Sequence, residues 1–230
     1  PKIIYNDSSI IITNKVDNNK IILSNVEGET SLILSLGSIS SKLIASNLVY
    51  IVDDKENVFY SPTILFDKTN DKTFLELKAV KANINQIFFQ KHLKFNHFNS
   101  NNYFDNLRVS FTKDELLNQF KVLGNYKAQG GTIKFKGNVS EVGTPDINGR
   151  VEFELDKINP AIEAEKIYDS NLKSLLKNIE VPFNGVVDLD ILNGRLNWIS
   201  ANISSNKGSL LISNNESSLT ETLKLKNSSI

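Results

Sequence analysis

Cysteine and methionine are absent from this sequence of 230 residues, and it has a single tryptophan. Without cysteine there can be no disulfide, no thiolate metal ligand and no cysteine nucleophile. There is also no run of about 18 apolar residues, so no membrane-spanning helix is predicted. The sequence begins at Pro1 with neither a methionine nor a signal-like leader. We therefore interpret it as part of a longer polypeptide, in which any anchor or signal would lie upstream of Pro1.

An excess of either charge is also missing. Lysine and arginine together number 26, as do aspartate and glutamate, so the formal net charge is zero. A protein without a positive field or a basic cluster attracts neither nucleic acid nor an anionic surface over a distance. The composition therefore predicts no nucleic-acid partner.

Residue patterns that support catalysis are lacking as well. The two histidines, His92 and His97, have no carboxylate beside them, and neither a Gly-x-Ser-x-Gly motif nor a glycine-rich phosphate loop occurs. Asp53-Asp54 has the composition of a tight turn, and Asp188 and Asp190 fall on the polar side of a predicted strand. The sequence predicts that the protein is not an enzyme and uses no metal or cofactor.

Alternating apolar and polar residues between positions 131 and 213 give the clearest structural signal. Three strand-like segments, 133–139, 147–155 and 181–191, place apolar side chains at every second position. Because successive side chains of a strand point to opposite faces, each segment has one apolar and one polar face. We therefore predict a mainly β protein: an elongated, curved, groove-like antiparallel sheet with one or two short helices packed on its apolar face.

Local signals predict where these helices and some turns lie. A capping-box pattern starting at Thr112 predicts a helix near 113–119. Asn159 is a suitable N-cap and the following proline suits the first helical position, which predicts a second helix over 160–179. Asn193-Gly194 predicts a hairpin turn, and the change of apolar parity near Trp198 predicts a β-bulge.

The sequence also suggests a division into modules. Short β-branched runs separated by turn-forming residues predict a β-rich meander over 1–105, which ends in an asparagine-rich stretch. A second module, 106–213, contains the alternating segments and both predicted helices. Residues 214–230 are rich in serine and asparagine, which predicts a flexible tail.

Strands that begin at a glycine recur in the second module, with a Pro-x-x-x-Gly connection at 145–149. The segments concerned are 131–137, 143–153, 184–189, 194–198 and 207–212. This pattern resembles the AsmA-like family of Gram-negative envelope proteins. Members of that family are anchored in the inner membrane, extend into the periplasm and form a partly open β groove.

The resemblance implies a non-enzymatic periplasmic segment that binds or shields acyl chains in a β groove and contributes to phospholipid transport and outer-membrane homeostasis. Its partners would be a phospholipid or other acyl-chain lipid and, through the upstream anchor, the inner membrane. The residues predicted to contact lipid are Ile133, Phe135, Val151, Phe153, Phe183, Val187, Leu189, Leu196 and Trp198. Alternation fits a closed core equally well, so a β-solenoid or sandwich adhesin module stays an alternative. An enzyme of the right-handed β-helix type is disfavoured because clustered acidic residues are missing.

Overall fold

Fifteen β-strands make up most of the described part of the protein in the computed structural model. The model describes residues 1–14, 16–17, 19–33, 36–88, 101–115, 118–128, 130–141, 147–166, 173–174, 177, 181–205, 208–215 and 224–226. The strands are β1 Lys2–Thr13, β2 Lys20–Ile33, β3 Ser38–Ile44, β4 Asn47–Val52, β5 Lys55–Tyr60, β6 Thr63–Lys68, β7 Thr73–Ile84, β8 Asn102–Lys113, β9 Asn118–Lys127, β10 Thr132–Ser140, β11 Asn148–Ile158, β12 Phe183–Leu192, β13 Arg195–Ser205, β14 Gly208–Asn215 and β15 Lys224–Lys226.

Hydrogen bonds join these strands into one antiparallel sheet, which confirms the predicted fold class. The chain divides into two compact units, the first made of residues 1–96 and 100–124 and the second of residues 97–99 and 125–230. The main division of these units falls between Gly124 and Asn125, and the module boundary between 105 and 106 stays a prediction. β8 pairs with β7 over its whole length and so belongs to the first unit.

The strands of the first unit follow one another as a meander, as predicted. β2 pairs with β1 on one side and with both β3 and β4 on the other. Ile44 pairs with Thr63 and Asn47 with Tyr60, so the register is unchanged across the break between β3 and β4. β3–β4 and β5–β6 are therefore the two arms of one long hairpin. Its turn, Asp53-Asp54, has φ values of 48° and 59°, as a type I′ turn requires.

A row of exposed residues interrupts the two-residue period at one level, within or between these strands, and we call it the bulge row. The pairing register from β2 to β8 is unchanged across it. It consists of Asn25, Ser46, Ser61, Val80 and Asn106. Three of them, Asn25, Ser61 and Asn106, have φ values near 50°. The buried residues on either side of the row are three positions apart: Leu23 and Val26, Ala45 and Leu48, Phe59 and Pro62, Ala79 and Ala82. The two-residue period thus breaks once per strand, so that the side chains on both sides of the row are buried.

Ser61 offers a test of the bulge row, because its φ of 48° disfavours a side chain branched at Cβ. We expect Ser61→Val to lower the free energy of unfolding by about 1–3 kcal/mol, and Ser61→Asn to leave it nearly unchanged. Urea denaturation measures both. Ser46→Val is the matched control, since Ser46 is an exposed serine of the same row outside the positive-φ set. Equal stability of the two valine variants would contradict this account of the row.

In the second unit, β10 to β15 form a further antiparallel meander, and a short helix, Pro160–Glu163, follows β11. Oδ1 of Asn159 accepts hydrogen bonds from the backbone N–H groups of Ala161, at 3.0 Å, and Ile162, at 3.4 Å. Asn159 is therefore the predicted N-cap. A 3₁₀ turn, Ala164–Lys166, continues the helix, and residues 173, 174 and 177 are also helical. The other positions of the predicted 160–179 helix lie outside the described residues.

One local prediction does not match the strands that form. The helix predicted near 113–119 is wrong, because β8 runs to Lys113 and β9 begins at Asn118. Pairing of Lys113 with Thr73 of β7 outweighs the capping-box signal there. The predicted tail, 214–230, lies mostly outside the described residues, but it contains β15, whose Leu225 pairs with Leu210 of β14.

Candidate functional site

The registers of β10 to β13 align the predicted apolar residues into four rows on one side of the sheet. In the second of these rows, Phe135 pairs with Phe153, Phe153 with Val187, and Val187 with Ala201. We call these four rows the apolar face. Its members are Ile133, Leu155, Gly185 and Ile203; Phe135, Phe153, Val187 and Ala201; Gly137, Val151, Leu189 and Ile199; and Val139, Gly149, Ile191 and Leu196.

The large apolar side chains described on the apolar face are neither fully buried nor fully exposed. Each large apolar residue described on it is half-buried, including Phe135, Phe153 and Leu189. Only the small residues Gly137 and Ala201 are buried, with Ala201 at 3% exposure. The first unit differs, since its Val26 and Val52 are completely buried. The apolar face therefore retains surface that an apolar ligand could cover.

The other side of the same strands is charged. Lys134 pairs with Glu154 at 2.9 Å and Arg150 with Asp188 at 2.8 Å. The hydrogen bond from Lys134 to Glu154 raises the pKa of Lys134, and the bond to Asp188 raises the pKa of Arg150. These ion pairs are largely exposed and add little to stability. They do make the two sides of the sheet chemically distinct.

Trp198 does not lie on the apolar face, in contrast to the prediction. The register between β12 and β13 shifts by one residue, so that Ile191 pairs with Leu196 and Asp190 with Trp198. Asn197 is the extra residue of this bulge, and its Nδ2 donates to Oδ2 of Asp190 at 2.8 Å. The indole therefore shares the charged side with Asp190. The predicted bulge is confirmed, but its effect is to move Trp198 away from the other predicted residues.

A second bulge extends the apolar face beyond its first row. Leu155 pairs with Gly185, but the next pair is Ile158 with Phe183, and Lys157 between them has a φ of 54°. Phe183 therefore lies on the same side of the sheet as the apolar face, as predicted. Ile158 beside it is buried, with 8% exposure. Sequence alternation missed Ile158 because it has the wrong parity relative to Leu155.

Two glycines on the apolar face mark places where neighbouring strands come very close. A Cβ on Gly185 would lie 2.2 Å from the backbone oxygen of Asn202, and one on Gly149 would lie 2.5 Å from that of Asn138. Any larger residue at these positions would push β12 from β13 or β11 from β10. Glycines within strands permit tight bending of a sheet. They are the features here that would let the apolar face curve.

Other kinds of site receive little support within the described part of the chain. No three histidine, aspartate or glutamate side chains there are grouped to hold a metal ion. No described helix has the length and apolarity to cross a membrane. A shallow recess of about 350 Å³ beside the β6–β7 turn is lined by both lysines and acidic residues, among them Lys72, Asp71 and Glu115. His92 and His97, for which the sequence predicted no functional role, lie outside the described residues.

Comparison with known proteins identified no relative: no family model, curated protein or solved structure matches this chain.

Proposed function

We propose that this protein is a periplasmic, AsmA-like lipid-binding segment that holds acyl chains on the apolar face of β10 to β13. In this proposal it catalyses no reaction and contributes to phospholipid transport and outer-membrane homeostasis. The observation that carries the proposal is the partial exposure of every large apolar side chain described on that face. A closed core would bury such side chains, so their exposure favours an open binding surface over a sealed module.

The size of the apolar face suits an acyl chain. Its four rows span about 20 Å along the strands, and its four strands span about 14 Å across them. Contiguous apolar surface of a few hundred Å² is typical of interaction sites. Burial of methylene groups contributes about 0.8 kcal/mol each, so a dozen of them would contribute on the order of 10 kcal/mol before ordering costs. Binding therefore needs no charged or catalytic residue.

The cellular setting in this proposal comes from the resemblance of the glycine-started strands to AsmA-like proteins. In this proposal the segment lies in the periplasm and belongs to a protein that is anchored in the inner membrane. Seven of the nine predicted lipid contacts have described side chains in the proposed site, and Leu196 pairs with Ile191 of its last row. In the proposed site Trp198 is replaced by Ile199 and Ile203 of the same strand. The proposed ligand is a phospholipid or another lipid with extended acyl chains.

Native mass spectrometry of protein purified from a Gram-negative envelope extract tests this proposal. We expect a population with added mass that matches one or more phospholipids and disappears after organic extraction. Extraction followed by lipid analysis would identify the bound species. Bare protein, under conditions that preserve a known lipid carrier with its ligand, would contradict the proposal.

A further inference from the structure

A line of polar and aromatic side chains crosses the charged side of the sheet, opposite the apolar face. Trp198 pairs with Asp190, Asp190 pairs with Arg150, and Arg150 pairs with Asn138. One such side chain therefore stands at the same level on each of four neighbouring strands. We call these four residues the polar row.

Hydrogen bonds hold the central groups of the polar row in place. Oδ2 of Asp190 accepts from Nδ2 of Asn197 at 2.8 Å, and Nη2 of Arg150 donates to Oδ1 of Asp188 at 2.8 Å. Arg150 nevertheless keeps 62% of its side chain exposed. The planar groups of these residues thus keep a fixed orientation and retain hydrogen-bonding capacity toward a ligand.

Charge and shape together indicate the kind of ligand that fits. The positive charge of Arg150 is matched by Asp188, so the row does not select a strongly anionic partner. Trp198 adds a flat apolar surface that is half-buried among polar neighbours. A pyranose sugar has the complementary features: an apolar face of C–H groups that stacks on an indole, and a rim of hydroxyls that both donate and accept hydrogen bonds.

We propose that the polar row binds a neutral oligosaccharide, with one sugar ring stacked on Trp198 and the hydroxyls of the following rings bonded to Asp190, Arg150 and Asn138. Neighbouring groups of the row are separated by the strand spacing of about 4.8 Å, which is close to the length of one pyranose residue. The row is about 14 Å long and so accommodates about three sugar rings. This site lies on the other side of the sheet from the proposed acyl-chain site and does not depend on it.

The single tryptophan makes the proposal directly testable, because its fluorescence reports on the polar row alone. Purified protein is titrated with chitohexaose, maltohexaose and cellohexaose, and with sorbitol at equal mass concentration as the control. We expect at least one hexasaccharide to change the emission saturably, while sorbitol does not. The absence of a saturable change with all three sugars would overturn the proposal.

Variants then locate the site, with binding of the active hexasaccharide measured by calorimetry. We expect Trp198→Ala to weaken binding at least tenfold and Trp198→Tyr, which keeps an aromatic ring, to weaken it less. Val186→Ala, on the same side of the sheet but outside the row, should bind as the wild type does. Asp190→Asn keeps the size of the side chain, so this variant should fold. If Trp198→Ala unfolds, weaker binding of the hexasaccharide by Asp190→Asn supports the site in its place. Unchanged binding by folded Trp198→Ala would overturn the proposal, whatever the result for lipid.

Discussion

Replacing Val187 with aspartate should remove bound phospholipid, whereas the same change at Val186 should not. The two residues are neighbours on β12 and point to opposite sides of the sheet. Val187 pairs with Phe153 and Ala201 on the apolar face, and Val186 pairs with Glu154 and Asn202 on the charged side. A carboxylate on the apolar face would have to lose water when an acyl chain covers it, which costs several kcal/mol. We expect at least a tenfold loss of co-purified lipid for Val187→Asp.

The Val186→Asp variant separates loss of binding from loss of folding. Val186 is 40% exposed, so a carboxylate there stays hydrated and the lipid content should match that of the wild type. Thermal unfolding followed by circular dichroism shows whether each variant remains folded. Where Val187→Asp unfolds, Val187→Thr provides a milder polar change of nearly the same shape. If folded Val187 variants retain their full lipid content, the apolar face is not the binding site.

The second large effect concerns a buried carboxylate in the first unit. The side chain of Glu76 is only 3% exposed, and it forms ion pairs with Lys78, at 3.0 Å, and with Nε of Arg108. Arg108→Met leaves this buried charge with one of its two cations. We expect the free energy of unfolding to fall by about 2–3 kcal/mol, because a buried charge that loses a partner is strongly destabilising.

Urea denaturation at neutral pH measures this loss, with Lys134→Met as the matched control. Lys134 also pairs with a glutamate, but both of its ion-pair side chains are more than half exposed. Pairs of that kind contribute at most about 1 kcal/mol. Equal losses in the two variants would show that burial of Glu76 does not set the strength of its ion pairs.

Glu76 should also make stability depend on acid pH. Burial raises the pKa of Glu76, but the hydrogen bonds and charges of Lys78 and Arg108 outweigh it and hold that pKa below its ordinary value. A carboxyl with a depressed folded-state pKa contributes stability above its unfolded pKa, and this contribution is lost as the pH falls through the folded-state value. The wild type should therefore lose more stability than Glu76→Gln between roughly pH 5 and pH 2. Parallel pH profiles of the two proteins would contradict this.

Strand alternation made much of the second unit predictable. In β10, β12 and most of β11 the two-residue period is unbroken, so the apolar positions read from the sequence are those that the structure brings together. The Asn159 cap and the Asn193-Gly194 turn were predictable for a related reason. Their geometry depends on residues within a few positions of one another, as the φ values of 50° and 70° in that turn illustrate.

The first unit was less predictable because the bulge row interrupts the same period in several strands. Leu23 and Val26 are both buried although they are three positions apart, so a long strand has the sequence pattern of two short ones. The helix predicted near 113–119 failed for a different reason. Its capping box is a local signal, whereas the extension of β8 to Lys113 depends on a partner strand elsewhere in the chain.

The order of amino acids is sufficient to specify a mainly antiparallel β protein with one apolar and one charged side, because side-chain polarity and strand geometry are local properties. The change of parity indicates a bulge near Trp198, but the sequence does not specify which residue is the extra one, because that is decided only when two strands pair. The one-residue shift beside Asn197 moves Trp198 to the charged side, while Leu196 still pairs with Ile191 and Ile199 with Leu189. Tertiary pairing alone therefore determines that the single tryptophan faces away from the proposed lipid site.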